Sequence, residues 1–293
     1  MSGGAKGPIF SLGTANLGLD YGIASSGHES RRNNAANILN YACEAGITYL
    51  DTASAYGEAE QVIGKFWPEN TLIMVTTKLS PHDCADPKSI LARVDQSLAN
   101  TNVEIFWSVL LHDSSVLFKE GGAEIKDALL ELLSSGRARR IGISAYTEAE
   151  VVRAKRFMPE MTVFQLPENI CDRRKYFSLA LTDLAQQGNL IFVRSIFLQG
   201  LLLMNPNDIP EKVATARQVL RTLGDLCQNE SISRLELCMG YAKSIPWASG
   251  IVIGADSSKQ LEEVYKAFLT SRTRDFSSLP TLDDWLIDPR NWS

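Results

Sequence analysis

Three apolar segments of the sequence end on side chains that could do proton chemistry. The segment ITYLDTASAYG breaks at Asp51, TLIMVTTKLS breaks at Lys78, and WSVLLHD ends on His112. Tyr56 follows Asp51 by five residues. A phenol is a poor acid at neutral pH, since its reference pKa is about 10, but a neighbouring ammonium lowers that pKa.

These residue types suit proton transfer to a carbonyl oxygen. Lys78, held by the Asp51 carboxylate, would make Tyr56 a usable proton donor. His112 would donate a second hydrogen bond to the same oxygen and orient it. The group contains no reductant, so a hydride donor such as a nicotinamide would complete it.

Each of these residues also has an ordinary structural interpretation. Asp51 could cap a turn, Lys78 could be a solvated residue leaving a sheet, and Tyr56 could simply pack with its hydroxyl at the surface. His112 and Asp113 could be a polar pair in a loop. The joint pattern favours chemistry, because three successive strand ends would otherwise be polar by coincidence.

The positions of these residues depend on short apolar segments that alternate with amphipathic helical patterns. Strands that are apolar at nearly every position suit a parallel sheet covered by helices. The sequence also predicts where one helix begins, since Asp86-Pro87 fits an N-cap followed by proline in the first turn. We predict strands at Ile9–Leu12, Ile47–Leu50, Leu72–Thr76, Ile105–Leu111, Arg140–Ile143, Thr162–Gln165, Leu190–Val193 and Gly250–Ile253.

Eight such units predict an α/β fold, a single (β/α)8 TIM barrel covering residues 1–293, with irregular segments at 197–210 and 271–293 over the catalytic face. A doubly wound open sheet is the alternative, but no G-x-G-x-x-G follows the first strand. In a barrel all strand C-terminal ends open at one face, and adjacent strands are about 5 Å apart. Asp51, Lys78 and His112 should therefore converge.

Composition bears on the class of partner. The 293-residue chain has a net charge of −5 and no basic run, which argues against nucleic acid or an anionic membrane surface. Its five cysteines lack C-x-x-C spacing and predict free thiols in a reducing compartment. The N-terminus lacks a signal-peptide core, and no apolar stretch approaches a membrane span. We expect a cytoplasmic protein, a monomer or small homo-oligomer, without a metal site.

The segment ITYLDTASAYGEAEQVIGK resembles the strand–loop–helix signature of the aldo-keto reductases. Their Asp, Tyr, Lys and His fall on Asp51, Tyr56, Lys78 and His112. The resemblance continues in order through LLSSGRARRIGIS, QLPENICDRR, RSIFLQGLLL and IVIGADSSKQLEE, over nearly the whole chain. It implies a (β/α)8 barrel that interconverts a carbonyl and an alcohol, on a small carbonyl compound or sugar, with NADP or NAD.

The resemblance also implies a cofactor site. Ser144 and Gln165 match residues that hold the nicotinamide carboxamide, whereas Ala145 replaces an Asn of the family. Arg194 replaces a stacking aromatic; a guanidinium can also stack on a ring, or it could be paired within the barrel mouth. The expected cofactor-binding residues are Gly13, Thr14, Asp51, Ser144, Gln165, Arg194, Ser195, Phe197, Gly200, Gly254, Asp256, Ser257, Gln260 and Glu263.

Asp256 bears on the choice between the two coenzymes. Relatives that prefer NADPH usually place Ser, Thr or Arg there, whereas a carboxylate would repel a 2′-phosphate and could accept from a ribose hydroxyl. Lys259 could offset this charge, and Asp256 could instead be an ordinary neighbour of a helix N-cap. We hypothesise that NAD(H) is used at least as well as NADP(H).

Two other functions remain open on the sequence alone. The chain could be a non-catalytic, nucleotide-sensing regulatory subunit of the same family, or a Schiff-base aldolase that uses Lys78. The opening LGTANLGLDYGIA resembles a bacterial branch associated with sugar chemistry, which hints at an aldehyde or lactol substrate. The expected substrate loops are Leu19–Tyr21, Ser80–Cys84, Ser114–Phe118, Asn169 and the tail near Trp285.

Overall fold

Eight parallel strands close into a barrel in chain order, and the last pairs with the first. The computed structural model describes residues 7–19, 28–273, 276 and 279–292. Closure is made by Ile9 pairing with Gly250 in parallel register. The predicted (β/α)8 barrel is confirmed. The strands are β1 Ile9–Gly13, β2 Tyr49–Asp51, β3 Met74–Leu79, β4 Ser108–Leu111, β5 Ile141–Ser144, β6 Val163–Pro167, β7 Leu190–Arg194 and β8 Gly250–Gly254.

Apolar side chains fill the barrel at the amino-terminal ends of its strands. Trp107, just before β4, makes edge-to-face contacts with Tyr49 at 5.3 Å and Phe192 at 5.7 Å between ring centroids. Gly250 leaves room for this cluster, because a Cβ there would lie 2.4 Å from the Phe192 ring. The closed end is therefore a packed core, and the open end, where the strands finish, is left for a site.

The helices follow the strands and pack around the barrel. The predicted N-cap is confirmed, since the Asp86 side chain accepts from the Ser89 backbone N–H at 2.9 Å and Pro87 opens the helix. Among the described residues the helices are α1 Ala15–Gly18, α2 His28–Glu44, α3 Ala59–Phe66, α4 Pro87–Thr101, α5 Gly122–Ser134, α6 Glu148–Phe157, α7 Leu179–Gln186, α8 Arg217–Asn229, α9 Arg234–Ser244 and α10 Ser258–Thr270.

Some boundaries differ from the sequence expectations. β3 continues past the predicted end at Thr76 to Leu79, because its last three residues pair with Val109, Leu110 and Leu111 of β4. The amphipathic pattern over 173–188 predicts one helix, but α7 begins only after Ser178, whose side chain caps it. The sequence patterns did not predict α8 and α9, which lie between β7 and β8. None of the helices in the described part of the chain is long and apolar enough to cross a bilayer.

Candidate active site

The polar residues that end β2, β3 and β4 lie side by side at the open face of the barrel. Asp51 is the last residue of β2, and Lys78 is the penultimate residue of β3. His112 directly follows β4, and its backbone N–H donates to the Leu79 carbonyl at 2.8 Å. Consecutive strands in parallel register bring these three side chains together although 61 residues separate the first from the last (112 minus 51).

The Lys78 ammonium is the centre of this group. Its side chain is 1 % exposed and forms an ion pair with Asp51, and it donates to the Thr52 carbonyl at 2.9 Å. Burial alone would lower the pKa of Lys78, but the Asp51 carboxylate and the Tyr56 phenol outweigh it and raise the pKa above its ordinary value. Lys78 is therefore a fixed cation.

Tyr56 reaches this cation from the loop after β2. The Ser54 N–H donates to the Lys78 carbonyl at 3.0 Å, and the Tyr56 N–H donates to the Ala53 carbonyl at 3.0 Å. The Tyr56 ring centroid lies 5.1 Å from Lys78 Nζ. The ring also meets the His112 imidazole edge to face, with centroids 6.0 Å apart. The phenol thus lies beside both a buried cation and an imidazole.

His112 is neutral at physiological pH. Burial is the main cause that lowers its pKa to about 4, with Lys78 and Arg194 adding positive charge nearby. A neutral imidazole carries one N–H and can donate a single hydrogen bond to a carbonyl oxygen. The neighbouring Asp113 has a separate structural role, since it caps a short 3₁₀ helix by accepting from the Ser115 N–H at 2.8 Å.

These side chains line a cavity of about 590 Å³, which is within the usual range for small-molecule sites. Most of the residues expected to bind the cofactor line it too. Ser257 and Glu263 do not: Ser257 caps α10, and Glu263 is exposed on that helix. The expected residues that line the cavity are Gly13, Thr14, Asp51, Tyr56, Lys78, His112, Ser144, Gln165, Arg194, Ser195, Phe197, Gly200, Gly254, Asp256 and Gln260.

Two buried polar atoms in this cavity fit a nicotinamide carboxamide. Gln165 donates through Nε2 to Asp51, but its Oε1 has no hydrogen-bond partner among the described residues. Arg194 Nε is buried, and within the described part of the chain it too lacks a partner. A carboxamide offers an N–H donor for the first atom and a carbonyl acceptor for the second. The residues present therefore fit the cofactor that the sequence implied.

The loop after β7 is strained where it lines the cavity. Ser195, Leu198 and Gln199 have φ of 62°, 49° and 53°, and Gly200 has φ of 93°. Non-glycine residues rarely adopt positive φ, because this conformation is energetically unfavourable. Three such residues among six indicate that the surrounding structure imposes the conformation of this loop. Such a loop can bring backbone N–H groups close to a phosphate group, which would suit the cofactor-binding role expected of Gly200.

Asp256 is held in place at the start of α10. Asn16 Nδ2 donates to Asp256 Oδ1 at 2.7 Å, and the Asp256 N–H donates to Gln260 Oε1 at 2.6 Å. All three residues line the cavity. Asn16 was not among the residues that the sequence suggested; the only signal is its place in the short helix α1 directly after β1, two residues beyond Thr14.

The expected substrate loops match the cavity only in part. Leu19 lines it, while residues 20 and 21 lie outside the described residues. Residues 80–84, 114–118 and Asn169 do not line it. The tail near Trp285 does, through Asp284, Ile287, Asp288, Pro289 and Arg290, although Trp285 itself does not. The wall also includes residues after β5 and around β6 that the sequence did not suggest: Tyr146, Thr147, Pro167, Asp172 and Arg174.

Charged side chains from the segment after β6 and from the tail form one wall of the cavity, here called the cavity mouth, and they are paired with each other. Arg174 contacts Asp172 at 2.7 Å and Asp284 at 3.1 Å, and Arg290 pairs with Asp288. Within the described part of the chain no group of three or more His, Cys, Asp or Glu side chains is arranged to hold a metal ion. The mouth of the cavity therefore presents paired charged groups that can hydrogen-bond a polar molecule.

The chain is similar in sequence to two proteins named as reductases. The chain is 25% identical over 319 residues to L-glyceraldehyde 3-phosphate reductase of Escherichia coli O157:H7, covering 94% of this chain and 90% of that protein. It is 24% identical over 245 residues to 6-dehydroglucose reductase of Novosphingobium aromaticivorans, covering 78% of each.

The fold is similar to that of solved structures. The thermostable aldo-keto reductase Tm1743, solved with the inhibitor epalrestat, matches with a TM-score of 0.68 and 20% identity, covering 97% of this chain and 94% of that one. The sequence profile described as "Aldo/keto reductase family" matches residues 10–283. The chain therefore belongs to the aldo/keto reductase family.

Proposed function

We propose that this protein is an NAD(P)-dependent oxidoreductase that interconverts a carbonyl group and an alcohol, with Tyr56 as general acid and base. The observation that carries the proposal is the buried Lys78 ammonium, ion-paired with Asp51 and 5.1 Å from the centre of the Tyr56 ring. Membership of a reductase family and reductase relatives support the reaction class.

A bound nicotinamide would supply or accept the hydride in this reaction. In the reductive direction Tyr56 donates its hydroxyl proton to the carbonyl oxygen as negative charge develops there. Lys78 stabilises the phenolate that remains, and Asp51 keeps the ammonium charged and in position. His112, being neutral, donates its one N–H to the same oxygen and so sets the orientation of the carbonyl.

The charge on Lys78 weighs against a Schiff-base mechanism. An amine must be neutral to attack a carbonyl carbon. The raised pKa of Lys78, which results from Asp51 and Tyr56 outweighing burial, keeps it protonated. The protonated Lys78 ammonium beside the Tyr56 phenol therefore suits proton transfer better than nucleophilic attack.

The paired charges at the cavity mouth favour a hydroxylated substrate. The exposed Asp284 carboxylate and the Arg174 guanidinium offer acceptors and donors to hydroxyl groups. The two reductase relatives named above act, by their names, on a sugar phosphate and on a sugar derivative. We therefore infer an aldose, lactol or other small hydroxylated carbonyl compound as the substrate class.

For the coenzyme we infer that NAD(H) is used at least as well as NADP(H). Asn16 holds the Asp256 carboxylate at the start of α10. A carboxylate there can accept from a ribose 2′-hydroxyl and repels a 2′-phosphate.

Replacing the phenol tests the proposal. Tyr56→Phe removes the hydroxyl but keeps the ring between Lys78 and His112, so we expect turnover of aldoses and simple aldehydes to fall by about 10² to 10⁴-fold. Dinucleotide affinity, measured by calorimetry, should be retained. Tyr41→Phe removes a phenol hydroxyl outside the cavity and serves as the control. Undiminished turnover in Tyr56→Phe would rule the mechanism out.

A further inference from the structure

Arg194 lies at the inner end of the cavity, where it is held by three neighbours. Its Nη2 donates to the Ala145 carbonyl at 3.3 Å, and its Nη1 lies 3.4 Å from Ser195 Oγ. Its guanidinium carbon is 4.6 Å from the centroid of the Tyr146 ring. These contacts engage both terminal nitrogens and fix the plane of the guanidinium.

Tyr146 is itself held in place. Arg290 contacts the same ring at 3.6 Å, and Glu150 accepts from the Tyr146 N–H at 2.6 Å. Cation–π contacts of this kind are worth about 0.5–2 kcal/mol each and fix a guanidinium over a ring. Arg194 therefore has a built orientation rather than that of a mobile surface side chain.

One donor of Arg194 remains unused. Its Nε is buried, and no acceptor is found for it among the described residues. Gln165, on the neighbouring strand, has an unpaired acceptor: its Oε1 is buried and has no hydrogen-bond donor in the described part of the chain. Register places the two strands side by side, since Pro167 of β6 pairs with Arg194 of β7. A buried donor and a buried acceptor are costly unless a ligand satisfies both.

We propose that Arg194 binds the nicotinamide carboxamide, its Nε–H donating to the carboxamide oxygen while Gln165 Oε1 accepts from the carboxamide nitrogen. The methyl side chain of Ala145 offers no donor, and Arg194 supplies one beside it. This assignment rests on the proposed function. A hydrogen bond to the carboxamide oxygen differs in one measurable way from stacking of the guanidinium on the pyridine ring. Replacing that oxygen by sulfur weakens the hydrogen bond, whereas it leaves a stacking contact unchanged.

The assignment can be tested by binding alone, with three ligands and two variants. Arg194→Met keeps an unbranched side chain but removes the donors. Arg140→Met makes the same change at an arginine that contacts Trp107 at the closed end of the barrel. Dissociation constants would be measured by calorimetry for NADH, for its thionicotinamide analogue (sulfur in place of the carboxamide oxygen) and for ADP-ribose, which lacks the nicotinamide.

We expect wild-type protein to bind NADH more tightly than the thio analogue, because sulfur is a weak acceptor. Arg194→Met should weaken NADH binding by about 10- to 100-fold, as expected for a hydrogen bond from a charged donor, and should abolish the discrimination between oxygen and sulfur. ADP-ribose affinity should be unchanged, and Arg140→Met should resemble wild type for all three ligands. Thermal melting of each variant would report its folding.

Three results would overturn the assignment. If Arg194→Met lost affinity for ADP-ribose and NADH equally, Arg194 would act on the pyrophosphate instead. If the variant bound both dinucleotides more weakly but still discriminated oxygen from sulfur, the contact would be stacking. If wild-type protein bound neither dinucleotide nor ADP-ribose, the proposed function would fail, and the assignment with it.

Discussion

Asp256 is the residue at which we propose that the choice between NAD(H) and NADP(H) is made. Its carboxylate is held by Asn16 at 2.7 Å on the cavity wall, at the start of α10. Helix N-termini attract phosphate groups through their free N–H groups, and a carboxylate at this place opposes that attraction. Lys259 is exposed on the same helix. The affinity of this position for a phosphate group therefore depends on charge, and a substitution that removes the charge can change it without changing the shape of the cavity.

We expect Asp256→Asn, which is isosteric, to tighten NADPH binding by about tenfold, because removing a charge a few ångströms from the 2′-phosphate saves roughly 1–4 kcal/mol of repulsion. NADH binding should change little. Parallel titrations of both coenzymes against wild type and variant measure this. Unchanged NADPH affinity in Asp256→Asn would contradict the prediction, and wild-type protein that bound NADPH far more tightly than NADH would contradict the coenzyme inference.

At the scale of elements, the short helix α1 and the loop that carries Tyr56 touch backbone to backbone. A Cβ at Gly18 would lie 1.9 Å from the Tyr56 carbonyl oxygen and 2.6 Å from the Ala59 nitrogen. Gly57 approaches from the other side, where a Cβ would be 2.5 Å from the Gly18 carbonyl oxygen. The helix that presents Asn16 to the proposed coenzyme site therefore also contacts and fixes the loop that carries Tyr56.

Gly18→Ala should therefore displace Tyr56 rather than unfold the barrel. A shift of about 1 Å in a reacting group can cost about 10²-fold in rate, so we expect a fall in kcat of that order. The melting temperature should change much less, since α1 is short and lies at the open face. Gly7→Ala, where a Cβ would meet nothing within 4 Å, is the matched control. Equal kcat in both variants would disprove the coupling.

At the scale of the whole molecule, the C-terminal tail is bound to the segment after β6. Arg173 donates to the Leu279 carbonyl at 2.7 Å, and the Leu282 N–H donates to the Cys171 carbonyl at 3.1 Å. The fully buried Glu168 also follows β6, and its Oε1 accepts from the Tyr241 hydroxyl at 2.7 Å. The Tyr241 ring in turn meets Phe276 of the tail edge to face, with ring centroids 5.3 Å apart. The tail that forms part of the cavity wall is thus joined to a buried ionisable group.

Glu168 makes stability depend on pH. Burial raises the pKa of its carboxyl to about 7, against the opposing effects of Lys175 and Tyr241. Between the unfolded value of 4.5 and about 7 the folded state binds more protons than the unfolded state, so the free energy of unfolding falls as pH rises through this window.

Glu168→Gln keeps an acceptor for Tyr241 and removes the titration. Its free energy of unfolding should fall less than that of wild type between pH 4.5 and 7, by on the order of 2–3 kcal/mol, so its melting temperature should also fall less. Glu69→Gln, at an exposed position, should follow the wild-type curve. Parallel curves for wild type and Glu168→Gln, measured by calorimetry across this range, would contradict the prediction.

The sequence by itself determined the local elements and the outline of the site. Apolar runs predicted eight strands, Asp86-Pro87 marked the start of α4, and polar strand ends identified Asp51, Lys78 and His112 as candidates. These features are readable because strand burial and helix capping depend on neighbours a few residues away, and because a parallel barrel brings all strand ends to one face.

Only the tertiary structure decided how the irregular segments meet. Asn16 and Asp256 are 240 residues apart, and Gln165 and Asp51 are 114 apart, yet each pair is hydrogen-bonded. The amphipathic pattern at 173–178 predicted helix, but Arg173 instead binds the tail. Loops carry no periodic pattern, and their partners are chosen by packing between distant segments, so no local rule could reveal them.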